Sequence, residues 1–227
     1  MSGSTGSSAG GGNNYTAGST IAVNSLGNAY VDGETNDTDF PTTAGAEQTS
    51  NRGIDDGFVS ELAADGSALV FSTYLGGSDY DGLFGLVLEP DGNVLVDGYS
   101  SSSNMSQSKP FQSAFGGITD AWLAEISGDG KQLLRSDFLG GSGQEQANSL
   151  AIWNGTIYVT GVTPSTDFPV TPAAPQAQYG GGVGDAFLTI VSATNPTAAR
   201  VRSFTVHRRP AAHSGSRLRN GIRVGRG

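Results

Sequence analysis

Carboxylates are the side chains of this sequence that could do chemistry, and several lie next to each other or two positions apart. The pairs are Asp37 with Asp39, Asp55 with Asp56, and Asp79 with Asp81. A glycoside hydrolase uses two carboxylates across a cleft, about 5 to 10 Å apart. Each pair also lies in a segment typical of a connection, where Asp accepts hydrogen bonds from nearby backbone. We therefore predict no catalytic residue, and keep a carbohydrate-active enzyme, a glycoside hydrolase or lyase using Asp and Glu, as the alternative.

The same acids could also bind calcium, because Asp and Asn at alternate positions supply the hard oxygen ligands that Ca²⁺ prefers. The segments NDTD (36–39) and SDYDG (78–82) have this spacing, so the metal candidates are Asp37, Asp39, Asp79 and Asp81. Neither segment matches the twelve-residue loop of an EF hand. We predict no cofactor, with Ca²⁺ as the lesser alternative.

Other reactive side chains are scarce. The chain has no Cys, and its two His, His207 and His213, both lie near the C-terminus. Residues 1–199 therefore lack the imidazole and thiol that Ser-His-Asp, Cys-His and His-ligated metal sites require.

Charge is divided unevenly along the chain. Residues 1–199 hold all 21 acidic residues against four basic ones, a net charge of −17, and residues 200–227 hold eight Arg and no acid. An acidic body repels nucleic acid and anionic membranes, so a nucleic-acid partner is not expected. The basic tail is predicted to be disordered and to be a frame-shifted or degraded reading of a further repeat; a nucleic-acid-binding arm is the alternative.

Three sequence motifs recur with one period, and they reveal the elements that must position these acids. GNAYVDG (27–33) returns as GNVLVDG (92–98) and GTIYVTG (155–161). DGFV (56–59) returns as DAWL (120–123) and DAFL (185–188), and LGGS (75–78) returns as LGGS (139–142). Motifs that return at one fixed spacing, here about 64 residues, predict an array of like structural units.

Each period contains four strand-like runs joined by short turns. In the second period they are LFGLVLE (83–89), NVLVDGY (93–99), DAWLAEIS (120–127) and KQLLRSDFL (131–139). Gly66, Gly92 and Gly130 occupy the turns, where a tight hairpin needs a positive φ. The third run is apolar on both faces, as a strand between stacked sheets should be.

Four antiparallel strands per period, with no helix between periods, predict an all-β partial β-propeller of about three blades. The blades are predicted at 19–77, 78–141 and 142–206, the last with a weak fourth strand in ARVRSFTV (199–206). Residues 1–18 are predicted to be a flexible Gly/Ser-rich N-terminus and 207–227 a disordered tail. The Gly-Gly pairs at 76–77 and 140–141 are predicted to turn the chain between blades through φ values closed to other residues.

The motifs resemble the bacterial β-propeller repeat family with SBBP-type repeats. Its pattern, G-N-x-Y-V-x-G, D-F-P-T-T-x-G-A-x-Q, D-A-F-V and Y-L-G-G, matches residues 19–192 in order, although the D-F-P segment is lost from the second repeat. The residues carrying the resemblance are Gly27, Asn28, Tyr30, Asp39, Phe40, Pro41, Gly76, Gly77, Gly140, Gly141, Asp167, Phe168 and Pro169.

The resemblance implies a secreted or cell-surface bacterial protein and a non-enzymatic scaffold or binding module. A protein or glycan partner is expected, and the ligand-binding residues are left open. Because closed propellers have four to eight blades, three blades leave open flanks, and we expect self-association there or a fragment of a longer protein. No segment is apolar for long enough to cross a membrane, so no membrane insertion is expected, and no signal peptide is visible.

Aromatic residues divide into strand and loop positions. Those in strands are predicted to pack between blades, namely Tyr30, Phe58, Phe71, Tyr74, Trp122, Phe138, Trp153, Tyr158 and Phe187. Sugar-stacking platforms would come from the loop positions Tyr80, Tyr99, Phe111 and Tyr179. Phe40 and Phe168 are predicted to anchor the long connection between the second and third strands.

Overall fold

A computed structural model describes residues 14–108, 110, 112, 114–172 and 174–192. In that part of the chain the regular structure is β only, as predicted, and no helix is long and apolar enough to span a membrane. The strands are β1 Thr16–Val23, β2 Ala29–Thr35, β3 Asp56–Leu62, β4 Leu69–Leu75, β5 Asp81–Leu88, β6 Val94–Ser100, β7 Asp120–Ile126, β8 Leu133–Leu139, β9 Gln146–Trp153, β10 Thr156–Thr163 and β11 Asp185–Ser192.

The strands form three antiparallel sheets in chain order. Sheet 1 is β1-β2-β3-β4, sheet 2 is β5-β6-β7-β8, and sheet 3 is β9-β10-β11. Within each sheet every strand pairs with its neighbour in sequence, and tight hairpins join the first strand to the second. Gly66, Gly92 and Gly130 have φ of +70°, +92° and +71°, so the predicted turn geometry is confirmed. The first strand of each sheet carries a register shift at the matching place.

Sheet 1 packs face to face on sheet 2. Tyr30 and Val59 of sheet 1 share one buried apolar cluster with Val96 and Trp122 of sheet 2. We call the face of a sheet that carries the residues matching Val96 and Trp122 its upstream face, because it meets the preceding sheet. The opposite face, which carries the residues matching Tyr30 and Val59, is its downstream face.

Sheet 2 packs on sheet 3 through the same two faces. Leu95 and Leu123, on the downstream face of sheet 2, cluster with Val159 and Phe187 on the upstream face of sheet 3. Sheet 2 is therefore covered on both sides, and β7 is buried along nearly its whole length. That explains why the β7 sequence lacks the polar-apolar alternation of a half-exposed strand.

Several sequence predictions differ from the structure or fall outside it. β1 begins at Thr16, inside the segment predicted to be flexible (1–18). The Gly-Gly pairs at 76–77 and 140–141 do not adopt positive φ, so that prediction was wrong. The weak strand at 199–206, the tail at 207–227 and both His lie outside the described residues.

The glycines between sheets are required by close packing instead. A Cβ added to Gly76 would lie 2.3 Å from Oδ1 of Asp56, and one added to Gly140 would lie 2.2 Å from Oδ1 of Asp120. Neither contact is sterically tolerable, because non-bonded C and O atoms do not approach so closely. A buried acid therefore dictates a glycine at the end of the fourth strand.

Candidate functional site

One end of the three sheets collects the long connections, and we call it the loop end. It comprises the described residues within 36–55, 76–80, 101–119, 140–145 and 164–184. Pairings such as Thr35 with Asp56 and Thr163 with Asp185 place the second and third strands of each sheet with their connection here. A parallel bridge between Asp55 and Tyr80 joins sheet 1 to the start of sheet 2 at the same end.

A buried Asp opens the third strand of each sheet and organises the connection around it. In sheet 1, Oδ2 of Asp56 accepts hydrogen bonds from the side chain of Gln48 (2.6 Å) and the backbone N–H of Arg52 (2.9 Å). Oε1 of Gln48 accepts in turn from Gly76 N–H at 3.0 Å. Burial raises the pKa of Asp56 to about 6. The amide thus ties the start of β3 to the end of β4.

The same arrangement recurs in the other two sheets. Asp120 accepts from Gly116 N–H at 2.8 Å and from the amide of Gln112 at 3.4 Å, and burial raises its pKa to about 6. Asp185 accepts from the amide of Gln176 at 3.3 Å. The three Gln side chains were not among the predicted site residues, although Gln48, Gln112 and Gln176 follow the period of the repeat.

A second buried acid opens sheets 2 and 3. Asp81, one of the calcium candidates, accepts from Gly77 N–H at 2.7 Å and from the Ser102 hydroxyl at 2.8 Å. Burial raises the pKa of Asp81. Its counterpart Glu145 accepts from Gly141 N–H at 2.8 Å and from the Thr163 hydroxyl at 2.9 Å. These acids hold the Gly-Gly connections against the next sheet.

The Asp of the D-F-P motif fastens the connection that arrives from the preceding sheet. Asp167 accepts from the backbone N–H (2.9 Å) and hydroxyl (3.0 Å) of Ser142, and these bonds lower the pKa of its carboxyl. Asn104 takes that role in sheet 2 and accepts from Ser78 N–H at 3.0 Å. Asp39, at the matching place of sheet 1, is exposed, and a hydrogen bond with Asp37 raises its pKa.

The apolar residue that follows is a packing anchor. The ring of Phe40 lies 4.6 Å from that of Phe58, and the ring of Phe168 lies 4.9 Å from that of Phe187, measured between centroids. Met105, which replaces the phenylalanine in the second repeat, is buried in the cluster between sheets 1 and 2.

The remaining motif residues have structural contacts of their own. Gly27 adopts a φ of +87° in the β1–β2 turn, where Asn28 donates to Glu61 at 2.8 Å. The carbonyl of Pro41 accepts from the Ser72 hydroxyl at 2.7 Å, and Pro169 is half-buried.

The four calcium candidates do not form one site. Asp37 accepts from the backbone N–H of Asp39 at 3.3 Å, and Asp79 from that of Tyr80 at 3.0 Å, as Asp does in turns. No group of three His, Cys, Asp or Glu side chains arranged to hold a metal ion occurs within the described ranges.

One carboxylate cluster lies at the loop end between sheets 1 and 2. The hydroxyl of Tyr15 lies 3.0 Å from Oδ2 of Asp55 and 3.3 Å from Oε1 of Glu34. Tyr99, from sheet 2, donates to the other oxygen of Glu34 at 3.0 Å. Burial, with the two acids nearby, raises the pKa of both tyrosines. Sequence reasoning paired Asp55 with its neighbour Asp56, whereas strand geometry sends these two side chains to different partners.

Two further acids are buried within the sheets themselves. Asp32 and Asp97 occupy matching positions of β2 and β6 on the downstream faces. Asp32 accepts from Thr20 N–H at 2.7 Å, whereas neither carboxylate oxygen of Asp97 accepts a hydrogen bond from the part of the chain that the structure describes. Burial raises the pKa of Asp32 to about 6 and that of Asp97, with the nearby Asp32, to about 8. Neither acid was among the predicted site residues.

Exposed apolar side chains also mark the loop end. Ile54, Ile118 and Val183 each lie two residues before the buried Asp of the third strand, and all three are exposed. Tyr80 is exposed as well, as expected of a stacking platform.

The other aromatic predictions have mixed outcomes. The hydroxyl of Tyr179 donates to the carbonyl of Gly182 at 2.7 Å. Trp153 was predicted to pack between sheets, and this is wrong, because its side chain is 67% exposed. Phe111 lies outside the described residues.

Comparison with known proteins gives no relative from which a function could be transferred. A scan against protein-family models finds no match, and a search of curated proteins finds no significant match.

Proposed function

We propose that this chain is a segment of a β-propeller whose blades are sheets 1 to 3, and that it serves as a non-enzymatic scaffold or binding module of a secreted or surface bacterial protein. The propeller interpretation is supported by face-to-face packing of successive sheets through matching residues. The single repeat period that the three sequence motifs share supports it as well. Secretion and bacterial origin rest on the motif resemblance alone.

One observation carries the non-enzymatic interpretation: the three buried loop-end acids whose pKa is raised are engaged inside the fold. Asp56, Asp81 and Asp120 each accept hydrogen bonds from the backbone or side chains of their own connections, and all three are buried. A catalytic acid must instead reach its substrate. These carboxylates fix the loops in place, which a binding platform requires.

The binding surface that we propose is the loop end. The exposed side chains of Ile54, Ile118 and Val183 recur at the matching position of each sheet and offer apolar contacts between polar connections. A protein segment with apolar side chains fits these contacts better than a glycan, because isolated aliphatic side chains give sugars no stacking surface.

The carbohydrate-active enzyme remains a second candidate because of the cluster of Glu34, Asp55 and Tyr15. Two carboxylates joined through one hydroxyl are close enough for acid–base chemistry on a glycosidic bond. Both acids, however, belong to sheet 1 and its connection, and the hydroxyl of Tyr15 lies between them.

The experiment that tests the proposal compares two groups of variants. Peptides selected from a displayed random library on the wild-type chain should lose binding to the triple variant Ile54→Asp/Ile118→Asp/Val183→Asp. They should keep binding to the double variant Glu34→Gln/Asp55→Asn. In parallel, a polysaccharide panel is assayed for new reducing ends and unsaturated products. Products formed by the wild type and lost in the double variant would establish the enzyme instead.

A further inference from the structure

The first strands of the three sheets have the same pattern but unequal burial. Ile21 of β1 matches Leu86 of β5 and Leu150 of β9, since each pairs with the matching valine of the second strand. Leu86 and Leu150 are 6% and 9% exposed, whereas Ile21 is 66% exposed. Val23, two residues further along the same face, is 61% exposed. In the part of the chain that the structure describes, the upstream face of sheet 1 is thus uncovered over β1, whereas Phe58 and Tyr74 of the same face are buried together with Phe40.

Sheet 3 has exposed side chains on its opposite, downstream face. Along residues 185–191, β11 alternates strictly, with its upstream side chains buried and its downstream side chains exposed or half-buried. Leu188 is half-buried and Ala186 exposed, although their counterparts Leu123 and Ala121 in β7 are buried. Trp153 lies on this open downstream face, because it pairs with Thr156 and points away from Ile152, which packs upstream.

Within the chain, faces of these two kinds cover each other at two interfaces. The downstream face of sheet 1 lies on the upstream face of sheet 2, and the downstream face of sheet 2 lies on the upstream face of sheet 3. The two open faces are therefore the two halves of an interface that is already formed twice within the molecule. We propose that a second copy of this chain supplies the missing half, with the downstream face of sheet 3 packed on the partner's upstream face of sheet 1. This inference rests on the propeller interpretation proposed above.

The stoichiometry follows from the number of sheets. The contact joins two different surfaces, so it closes into a ring or continues as a filament. Two copies provide six sheets, within the range of four to eight that closed propellers use, whereas three copies would exceed it. In the dimer both open faces of both copies are covered.

The chemistry of the open downstream face fits this role. Sheets 1 and 2 bury Asp32 and Asp97 on their downstream faces, and sheet 3 has Thr160 at the matching position. The hydroxyl of Thr160 donates to the carbonyl of Phe187 at 2.8 Å. A second copy would therefore cover a satisfied hydroxyl there and not a carboxylate, which avoids the large cost of burying a charge.

The test is the association state of the full chain by sedimentation velocity over a wide concentration range. Wild type should be a dimer. Ile21→Asp and Trp153→Asp should each raise the dissociation constant roughly 10- to 100-fold, because each places a charge in the contact. Ile118→Asp is the matched control, since Ile118 is 63% exposed but lies at the loop end. Circular dichroism verifies folding, and Val23→Asp and Ala186→Arg replace either variant that misfolds.

Mixing the two variants tests the head-to-tail geometry. Ile21→Asp keeps an intact downstream face and Trp153→Asp keeps an intact upstream face, so the mixture should form a dimer with one interface that neither variant forms alone. Its tryptophan emission should shift to the blue, because Trp122 is already buried and Trp153 reports on the contact.

Two results would overturn the dimer. One is a wild-type chain that stays monomeric at every concentration, and the other is a dimer weakened no more by Ile21→Asp and Trp153→Asp than by Ile118→Asp. A folded monomer that still binds the selected peptides at its loop end would leave the proposed function intact and remove only this inference.

Discussion

Asp97→Asn should stabilise the protein at neutral and alkaline pH and flatten the dependence of its stability on pH. The side chain of Asp97 is fully buried, and neither of its oxygens accepts a hydrogen bond from any described residue. Burial, together with Asp32, raises its pKa from the ordinary 3.8 to about 8. The folded protein therefore holds this proton more tightly than the unfolded chain. Stability from the protonated carboxyl is complete below about pH 4 and is lost as pH rises toward 8.

The magnitude follows from the difference in bound protons. Where the folded state holds one proton more than the unfolded chain, the free energy of unfolding falls by about 1.4 kcal/mol per pH unit. Between pH 6 and 8 the loss from Asp97 amounts to about 2 kcal/mol, because the folded carboxyl itself begins to ionise near pH 8. Asparagine has the same shape and no proton to lose, so this loss should disappear.

Urea denaturation at pH 6 and pH 8, followed by circular dichroism, measures the effect. Asp65→Asn is the control, because hydrogen bonds from Ser67 lower the pKa of this exposed carboxyl, which is therefore ionised throughout this range in the folded and the unfolded chain. Its replacement should leave the loss between pH 6 and 8 unchanged. Equal pH dependence in wild type and Asp97→Asn would refute the assignment of a protonated Asp97.

Two further predictions concern the end of the fourth strand. Gly140→Ala should lower the free energy of unfolding by about 2 kcal/mol or more, because the new Cβ would meet Oδ1 of Asp120 at 2.2 Å. Gly92→Ala, at a φ of +92° with no described atom within 4 Å, should cost about 1 kcal/mol from backbone strain alone; equal losses by urea denaturation would contradict the packing argument. Gln112→Ala should cost about 1 to 3 kcal/mol in the same assay, because Asp120 and Gly140 lose their shared amide. Gln178 is exposed, so Gln178→Ala should hardly change the free energy of unfolding. A loss as large as that of Gln112→Ala would show that the hydrogen bonds of the Gln112 amide do not account for its effect.

Much of the architecture could be predicted because the repeats are directly visible in the amino-acid sequence. The predicted run DAWLAEIS corresponds to β7, and the predicted turn at Gly92 has the expected positive φ. Such features depend on residues near each other in the chain. When every period folds alike, residues at matching positions of the sequence also occupy matching places in the structure. The packing role expected of Phe40 could therefore also be expected of Phe168.

The site could not be predicted in the same way because its contacts cross between strands. Asp55 meets Tyr15 and Glu34, which lie before the long connection that ends at Asp55, while its neighbour Asp56 bonds to Gln48. Neighbouring residues of an extended chain point their side chains to opposite sides, so the two acids have different partners although they are adjacent in the sequence. Gly140 illustrates the same limit. A glycine is required there because the carboxylate of Asp120, at the start of the neighbouring strand, leaves no room for a Cβ, and not because of the torsion angles of Gly140 itself.

The exposure of Trp153 shows that a repeat pattern does not reveal whether a neighbouring sheet covers a given face. Its strand has the same alternation as β1 and β5, and the pattern alone predicts burial on both faces of every sheet. Burial, however, depends on a neighbouring sheet, and among the described residues sheet 3 has one only on its upstream side. Among the described residues, positions that match in sequence diverge strongly in exposure at the two ends of the array, where Ile21 and Trp153 lie. An array of identical units has unsatisfied faces only at its ends, and these two faces are complementary because every internal interface is made from the same pair. The head-to-tail association that we propose would thus be a consequence of the repeat itself.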